Sequence, residues 1–185
     1  MVLSTTDAHL FYSTFYALLN YVNTEKKILP VESLVTDPVT LAVSPEDARK
    51  VANVLWENPN DLIDGFLASA KDLTGEQREV CTAWKRHVRD QFILLRYLKK
   101  SAIFLHSTDD GPQAYHVIGL STELEELFGE TPPFAVRASL LPFKNTIVTD
   151  VFPLVEPFHF GGGMKEAFRE DYSIARENKH VYKAL

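Results

Sequence analysis

Apolar positions recur at helical spacing through the first half of the chain, and in alternating or unbroken runs through much of the second. Leu10, Phe11, Phe15, Leu18, Leu19 and Val22 fall three and four residues apart. That spacing predicts an amphipathic helix beginning after Thr6 and ending near Asn23, ahead of Ile28-Leu29-Pro30. Residues 24–43, interrupted by Pro30 and Pro38, are expected to be irregular or briefly extended. Ser44-Pro45-Glu46-Asp47 predicts a second helix start. The serine hydroxyl can accept an amide of the first turn, proline suits a position that needs no donor, and acids favour the positive helix end. Ala48, Val51, Ala52 and Leu55 form its apolar stripe, and Asn58-Pro59 stops it. A short helix carrying Leu62, Ile63, Phe66 and Leu67 follows. Thr74-Gly75-Glu76-Gln77 has the form of a capping box for another, continued by Val80, Trp84 and Val88.

Residues 89–100 admit two periods. Val88, Phe92, Leu95 and Lys99 could extend the helix, whereas Phe92-Ile93-Leu94-Leu95 is a run that a buried strand would use. Of the two, the strand is expected. Ala102-Ile103-Phe104-Leu105 predicts a strand, Ser107–Pro112 its turn, and Tyr115-His116-Val117-Ile118 the return. Thr122–Phe128 predicts a brief helix, with Thr122 and Glu125 as a capping pair and Gly129 as the stop. Val136–Leu140 alternates, Lys144-Asn145 makes a tight turn with asparagine as its left-handed residue, and Ile147–Phe152 returns. After Gly161-Gly162-Gly163, a stripe of Met164, Ala167, Phe168, Tyr172 and Ala175 predicts a late helix, and Val181–Leu185 an edge strand.

These elements imply an α+β fold. Helices of about residues 1–90 pack on a mostly antiparallel sheet of about four to six strands within about residues 91–185, and a late helix follows. One domain of 185 residues is expected, its two textures sharing a core. The strands are expected to follow one another as an antiparallel meander.

Composition narrows the function classes. The net charge of -6 disfavours a dedicated nucleic-acid binder. The one cysteine, Cys81, leaves no internal disulfide and no cysteine-based zinc cluster, and implies a reducing, cytoplasmic setting. No run of 18 apolar residues occurs, so no membrane span is expected, and the N-terminus lacks the basic and apolar regions of a signal peptide.

Three patterns could carry chemistry. Lys85, Arg86, Arg89, Arg96, Lys99 and Lys100 crowd sixteen residues, interleaved with Trp84, Phe92 and Tyr97. Arg89, Arg96, Lys99 and Lys100 are the candidate anion-binding residues, because guanidinium and ammonium groups neutralise phosphates and aromatic faces stack on bases. The bland alternative is a solvated polar face. Second, the triple glycine ahead of a helix leaves bare amides and a nearby Lys165, although its spacing matches neither a P-loop nor a dinucleotide fingerprint. Third, His106, His116 and Asp109 flank one hairpin and could ligate a metal if the strand register brought them together. Cys81 reads as a buried small residue, and no Gly-x-Ser-x-Gly elbow occurs.

No catalytic arrangement stands out, and no cofactor is implied. The chain is therefore expected to be a non-enzymatic cytosolic binding or protein-interaction module. The apolar, proline-punctuated segments Leu140–Phe143, Val151–Val155 and Pro157-Phe158 are expected to cap the open end of the sheet against the helical layer, and any part left exposed would meet a protein partner or a second copy. Two alternatives stay open. One is a small metal-dependent hydrolase built on the histidine hairpin. The other is a polyanion or nucleic-acid binder using residues 85–100.

Overall fold

Each early helix starts where its capping side chain stands. In α1 (Thr5–Lys26) the Ser4 hydroxyl accepts the Asp7 amide at 3.1 Å, and the helix ends as Lys27 turns left-handed at φ 50°. In α2 (Pro45–Glu57) Ser44 accepts from Asp47 at 3.1 Å with Pro45 in the first turn. Pro59 then opens α3 (Pro59–Ser69). The capping box of α4 (Gly75–Ala83) is complete: Thr74 Oγ1 accepts the Gln77 amide at 3.2 Å, and the Thr74 amide donates to Gln77 Oε1 at 3.0 Å. The helix stops earlier than expected. Trp84–Arg86 tightens into a 3-10 turn, and Val88 enters a strand.

The computed structural model describes every residue from Met1 to Leu185, and the chain divides into two compact units. The first, Ser4–Lys85, is built around α1, whose Phe11, Phe15, Leu18, Leu19 and Val22 are wholly buried. Trp84 packs edge-on to Phe11 and Phe15 at ring separations of 5.3 and 5.7 Å, and Trp56 stacks on Phe15 at 6.3 Å. The irregular segment after α1 holds a two-stranded hairpin, β1 (Val35–Asp37) and β2 (Thr40–Leu41). Asparagines of α1 tie it down: Asn23 Oδ1 accepts the Leu29 amide at 2.8 Å, and Asn20 Oδ1 the Leu34 amide at 2.6 Å. Arg78 closes the open end of α3 by donating to the carbonyls of Leu67 and Ala70 at 2.8 and 2.6 Å.

The second unit is Arg86–Leu185 with Met1–Leu3. Its strands are β3 (Val88–Leu98), β4 (Ser101–Thr108), β5 (Gly111–Ile118), β6 (Phe134–Phe143), β7 (Thr146–Thr149), β8 (Leu154–Glu156) and β9 (Val181–Tyr182). Two helices interrupt them, α5 (Leu124–Phe128) and α6 (Gly162–Glu177). The strand over 92–95 is thus real, and the fold is α+β.

The strand order departs from a simple meander. β3, β4 and β5 do follow one another as antiparallel neighbours. The chain then passes through α5, and β6 pairs back with β3 while β7 lies between β6 and β5, parallel to the latter. The circuit β3-β4-β5-β7-β6-β3 is closed. Strand β3 has two neighbours, β6 along residues 88–94 and β4 along 93–98, with a bulge between Leu94 and Arg96 in its pairing with β4. This is a five-stranded Greek-key barrel with the architecture of the OB-fold. Closure satisfies edges that an open meander would leave bare, which a pattern of alternating residues does not reveal.

Alternation sorts the side chains. Phe92, Leu94, Ala102, Phe104, Tyr115, Val117, Val136, Ala138, Leu140 and Ile147 fill the barrel, with Leu124 and Phe128 of α5 packed against them. Several turn details differ from expectation. The cap of α5 is Glu123, without a side-chain bond, and not Thr122. The left-handed residue between β6 and β7 is Lys144, at φ 52°, and not Asn145. The strand expected over 147–152 ends at Thr149, before buried Asp150. Two glycines are required by their surroundings. Gly129 ends α5 at φ 104°, and a Cβ on Gly119 would sit 2.1 Å from the Thr122 carbonyl oxygen, where Val2 bridges to this strand end.

Candidate anion-binding cleft

The opposite face of the first three barrel strands carries a second apolar cluster. Ile103 and Leu105 of β4 and Ala114 of β5 pack with Ala175 of α6, joined by Ile93 and Leu95 of β3 and by Phe168 and Tyr172. So α6 lies across the outer side of β3, β4 and β5. Its stripe is narrower than predicted: Phe168, Tyr172 and Ala175 face the sheet, whereas Met164 is 50% exposed. Gly161 caps α6 without a side chain, and a Cβ at Gly161, Gly162 or Gly163 would meet open space.

Beside that apolar seam, α6 presents Arg169, Tyr172, Ser173 and Arg176 at offsets of three, four and seven residues, which is one helix face. The bulge in β3 delivers Leu95 and Arg96 to the same place, and Pro132 from the segment before β6 closes one side. Together they line a cleft of about 510 Å³, within the range of small-ligand sites. The Arg96 guanidinium sits over the Tyr172 ring, 4.8 Å from its centroid. The Ser173 hydroxyl donates to the Arg169 carbonyl at 3.2 Å and keeps its lone pairs.

None of the three guanidinium groups is in an ion pair. Ion pairs elsewhere in the chain join the Met1 amino group to Glu123, Lys50 to Asp47, Lys85 to Asp64 and Arg137 to Glu156. In a chain with 25 acidic residues against 19 basic ones, three arginines sharing a cleft without a carboxylate are notable. Guanidinium presents a planar fork of donors that fits carboxylate or phosphate oxygens two at a time. The Leu95 and Pro132 side chains and the Tyr172 ring supply an apolar wall beside those forks.

The basic cluster proposed from sequence is split by the fold. Arg96 lines the cleft. Arg89 is half-buried on β3 opposite Ser139, and Lys99 and Lys100 are exposed in the turn joining β3 to β4, outside the cleft lining. Arg169 and Arg176 lie more than seventy positions beyond Arg96 and were missed. Their one sequence signal was two arginines seven apart, hence on one helix face, with Tyr172 and Ser173 between them.

The histidine hairpin does not bring its residues together. His106 pairs in register with Gln113, and His116 with Ile103. Positions 103 and 106 differ by an odd number along β4, so the two imidazoles lie on opposite faces of the barrel wall. His106 is on the inner side, 5.3 Å from the Phe92 ring, with Nε2 at 3.0 Å from Asp90. Asp109 is in the turn between β4 and β5. No three His, Cys, Asp or Glu side chains group at metal-ligand spacing. His116 is on the outer side, where its Nδ1 meets Ser101 Oγ at 2.9 Å. Burial, then the charges of Lys183 and Arg96, push its pKa below 6.5, so the ring is neutral at neutral pH. Cys81 is fully buried, and burial raises its thiol to about 12, which leaves it protonated and unreactive.

The apolar segments divide. Leu140, Leu141, Phe143 and Phe152 are buried, but Leu154, Val155 and Phe158 are 37%, 45% and 56% exposed, near Met164 in sequence. No protein-family model, curated protein or solved structure matches the chain.

Proposed function

We propose that this chain is a non-enzymatic binding protein, and that the cleft between β3 and α6 holds an anionic ligand. The observation that supports this most directly is the convergence of Arg96, Arg169 and Arg176 on one cleft of about 510 Å³ with no acid paired to any of them. Cations with solvent-filled space between them repel each other, and an anion that reaches all three relieves that repulsion. The fold is a weak guide, because Greek-key barrels host unrelated functions. The outer face of the barrel's second and third strands, often a ligand platform in OB-folds, is covered by α6 here. A cytoplasmic setting completes the reading; no helix is long and apolar enough to cross a membrane.

Calorimetric titration at low ionic strength with phosphate and carboxylate anions tests the reading. At least one anion should bind, and its affinity should fall as salt screens the site. Alanine at each arginine should remove roughly 1.5–3 kcal/mol of binding, the usual worth of a charge-assisted hydrogen bond. Lys99→Ala and Lys100→Ala should change little. Binding that responds to the lysines and ignores the arginines would move the site to the β3–β4 turn.

A second reading draws on the exposed Leu154, Val155, Phe158 and Met164, which make this segment a surface for protein contact or self-association. Strand β8 pairs with β6 alone, so its other edge can accept a strand. Size-exclusion chromatography with light scattering should show mass rising with concentration, and Phe158→Ser should suppress it. A constant monomer mass removes the self-association form.

A further inference from the structure

The three arginines of the cleft are anchored in a row. Arg169 and Arg176 are seven residues apart on one face of α6, which sets their backbone positions about 10 Å apart along the helix axis. Tyr172 stands between them, and Arg96 reaches over its ring from β3. The row therefore runs Arg169, Arg96, Arg176, with the apolar surfaces of Leu95 and Pro132 alongside. A lone phosphate could engage one end of such a row, or the middle, and would leave the remaining guanidinium groups unpaired.

We propose that the ligand of this cleft is a small elongated organic molecule with a phosphoryl group at each end, separated by about 10 Å along the α6 row. The proposal rests on the reading of the cleft as an anion site and names the class of anion. One phosphoryl group takes the fork of Arg169 and the other that of Arg176, while Arg96 neutralises charge near the centre. The body of the molecule lies on the Leu95–Pro132 wall and the edge of the Tyr172 ring. Charge balance selects phosphates over carboxylates. A phosphate monoester carries about -1.5 to -2 at neutral pH, so two of them match three guanidinium charges, whereas a dicarboxylate leaves one cation unbalanced. Size selects a small molecule over a polymer, because the cleft volume of about 510 Å³ is that of a metabolite site and the chain as a whole carries -6.

Titration of the full chain with a hexose 1,6-bisphosphate, the corresponding 6-phosphate, pyrophosphate and inorganic phosphate decides the matter. The hexose bisphosphate should bind at least about 10-fold more tightly than the monophosphate, the equivalent of one further charge-assisted contact. Pyrophosphate, whose two phosphoryl groups are adjacent, should not share that advantage. Arg169→Ala and Arg176→Ala should each reduce the bisphosphate to the affinity of the monophosphate, and Arg96→Ala should weaken both ligands together. These side chains are exposed, and an unchanged melting temperature confirms that each variant is folded. Equal binding of the two hexose phosphates, or preference for pyrophosphate, overturns the two-ended ligand while leaving an anion cleft in place. Absence of binding by every phosphate tested overturns the bisphosphate ligand, and the anion reading falls with it when the carboxylates also fail to bind.

Discussion

His116 shows how one side chain couples the barrel surface to pH. It stands on the outer face of β5, hydrogen-bonded through Nδ1 to Ser101, with Lys183 and Arg96 close enough to oppose its protonation. Burial is the larger cause of its lowered pKa and the two cations the smaller. An unfolded histidine titrates near its ordinary value of 6.5, and the folded one below it. Between those two values the unfolded chain binds more protons, so stability rises with pH there. The contribution is fully present above 6.5 and is lost as pH falls through the folded pKa. His116→Gln should therefore flatten part of the fall in denaturant midpoint between about pH 8 and about pH 5. An unchanged pH slope in the variant would show that His116 does not carry this linkage.

At the scale of elements, local chemistry and tertiary contact set different boundaries. The start of α4 is local: Thr74 and Gln77 satisfy each other's amides without help from elsewhere. Thr74→Ala should cost about 1 kcal/mol in chemical denaturation, the usual worth of a cap. A loss near zero would mean that solvent replaces the capping bonds at no cost. The end of α4 is not local. Trp84 would continue its apolar stripe, yet the indole packs on Phe11 and Phe15, and the chain must leave the helix to begin β3 at Val88. In the same way β3 reads as a strand from its apolar run, while the bulge beside Arg96 shows only in its pairing with β4. That bulge places Arg96 in the cleft. Helix α6 was visible as a stripe, and its polar flank came to line a cleft only when the stripe docked on β4 and β5.

For the whole molecule, the two compact units differ in how their elements form. The helices of the unit Ser4–Lys85 close their hydrogen bonds within a few residues before they pack, whereas the barrel is complete only when β3 meets β6 and β5 meets β9 across long stretches of chain. Loops must close before such pairings are rewarded, so the barrel should form more slowly. Both tryptophans, Trp56 and Trp84, belong to the helical unit and report on it. In stopped-flow refolding, tryptophan fluorescence should recover ahead of the far-ultraviolet signal of the sheet. A single shared rate for both probes would contradict this and indicate one cooperative folding step.

Much of the architecture was legible along the chain because caps, turns and apolar periods are local properties. Ser44-Pro45, Thr74–Gln77 and the stripe of α1 state their helices, and Ala102–Leu105 with Tyr115–Ile118 state a hairpin. The sequence by itself determined the α+β class and the order of the main helices and strands, since each follows from contacts within a few residues. The tertiary structure alone decided barrel closure, the opposite facing of His106 and His116, and the meeting of Arg96 with Arg169 and Arg176. The reason is physical. Strand register and helix docking depend on long-range packing, and a one-residue change in register exchanges the two faces of a strand while leaving its composition untouched.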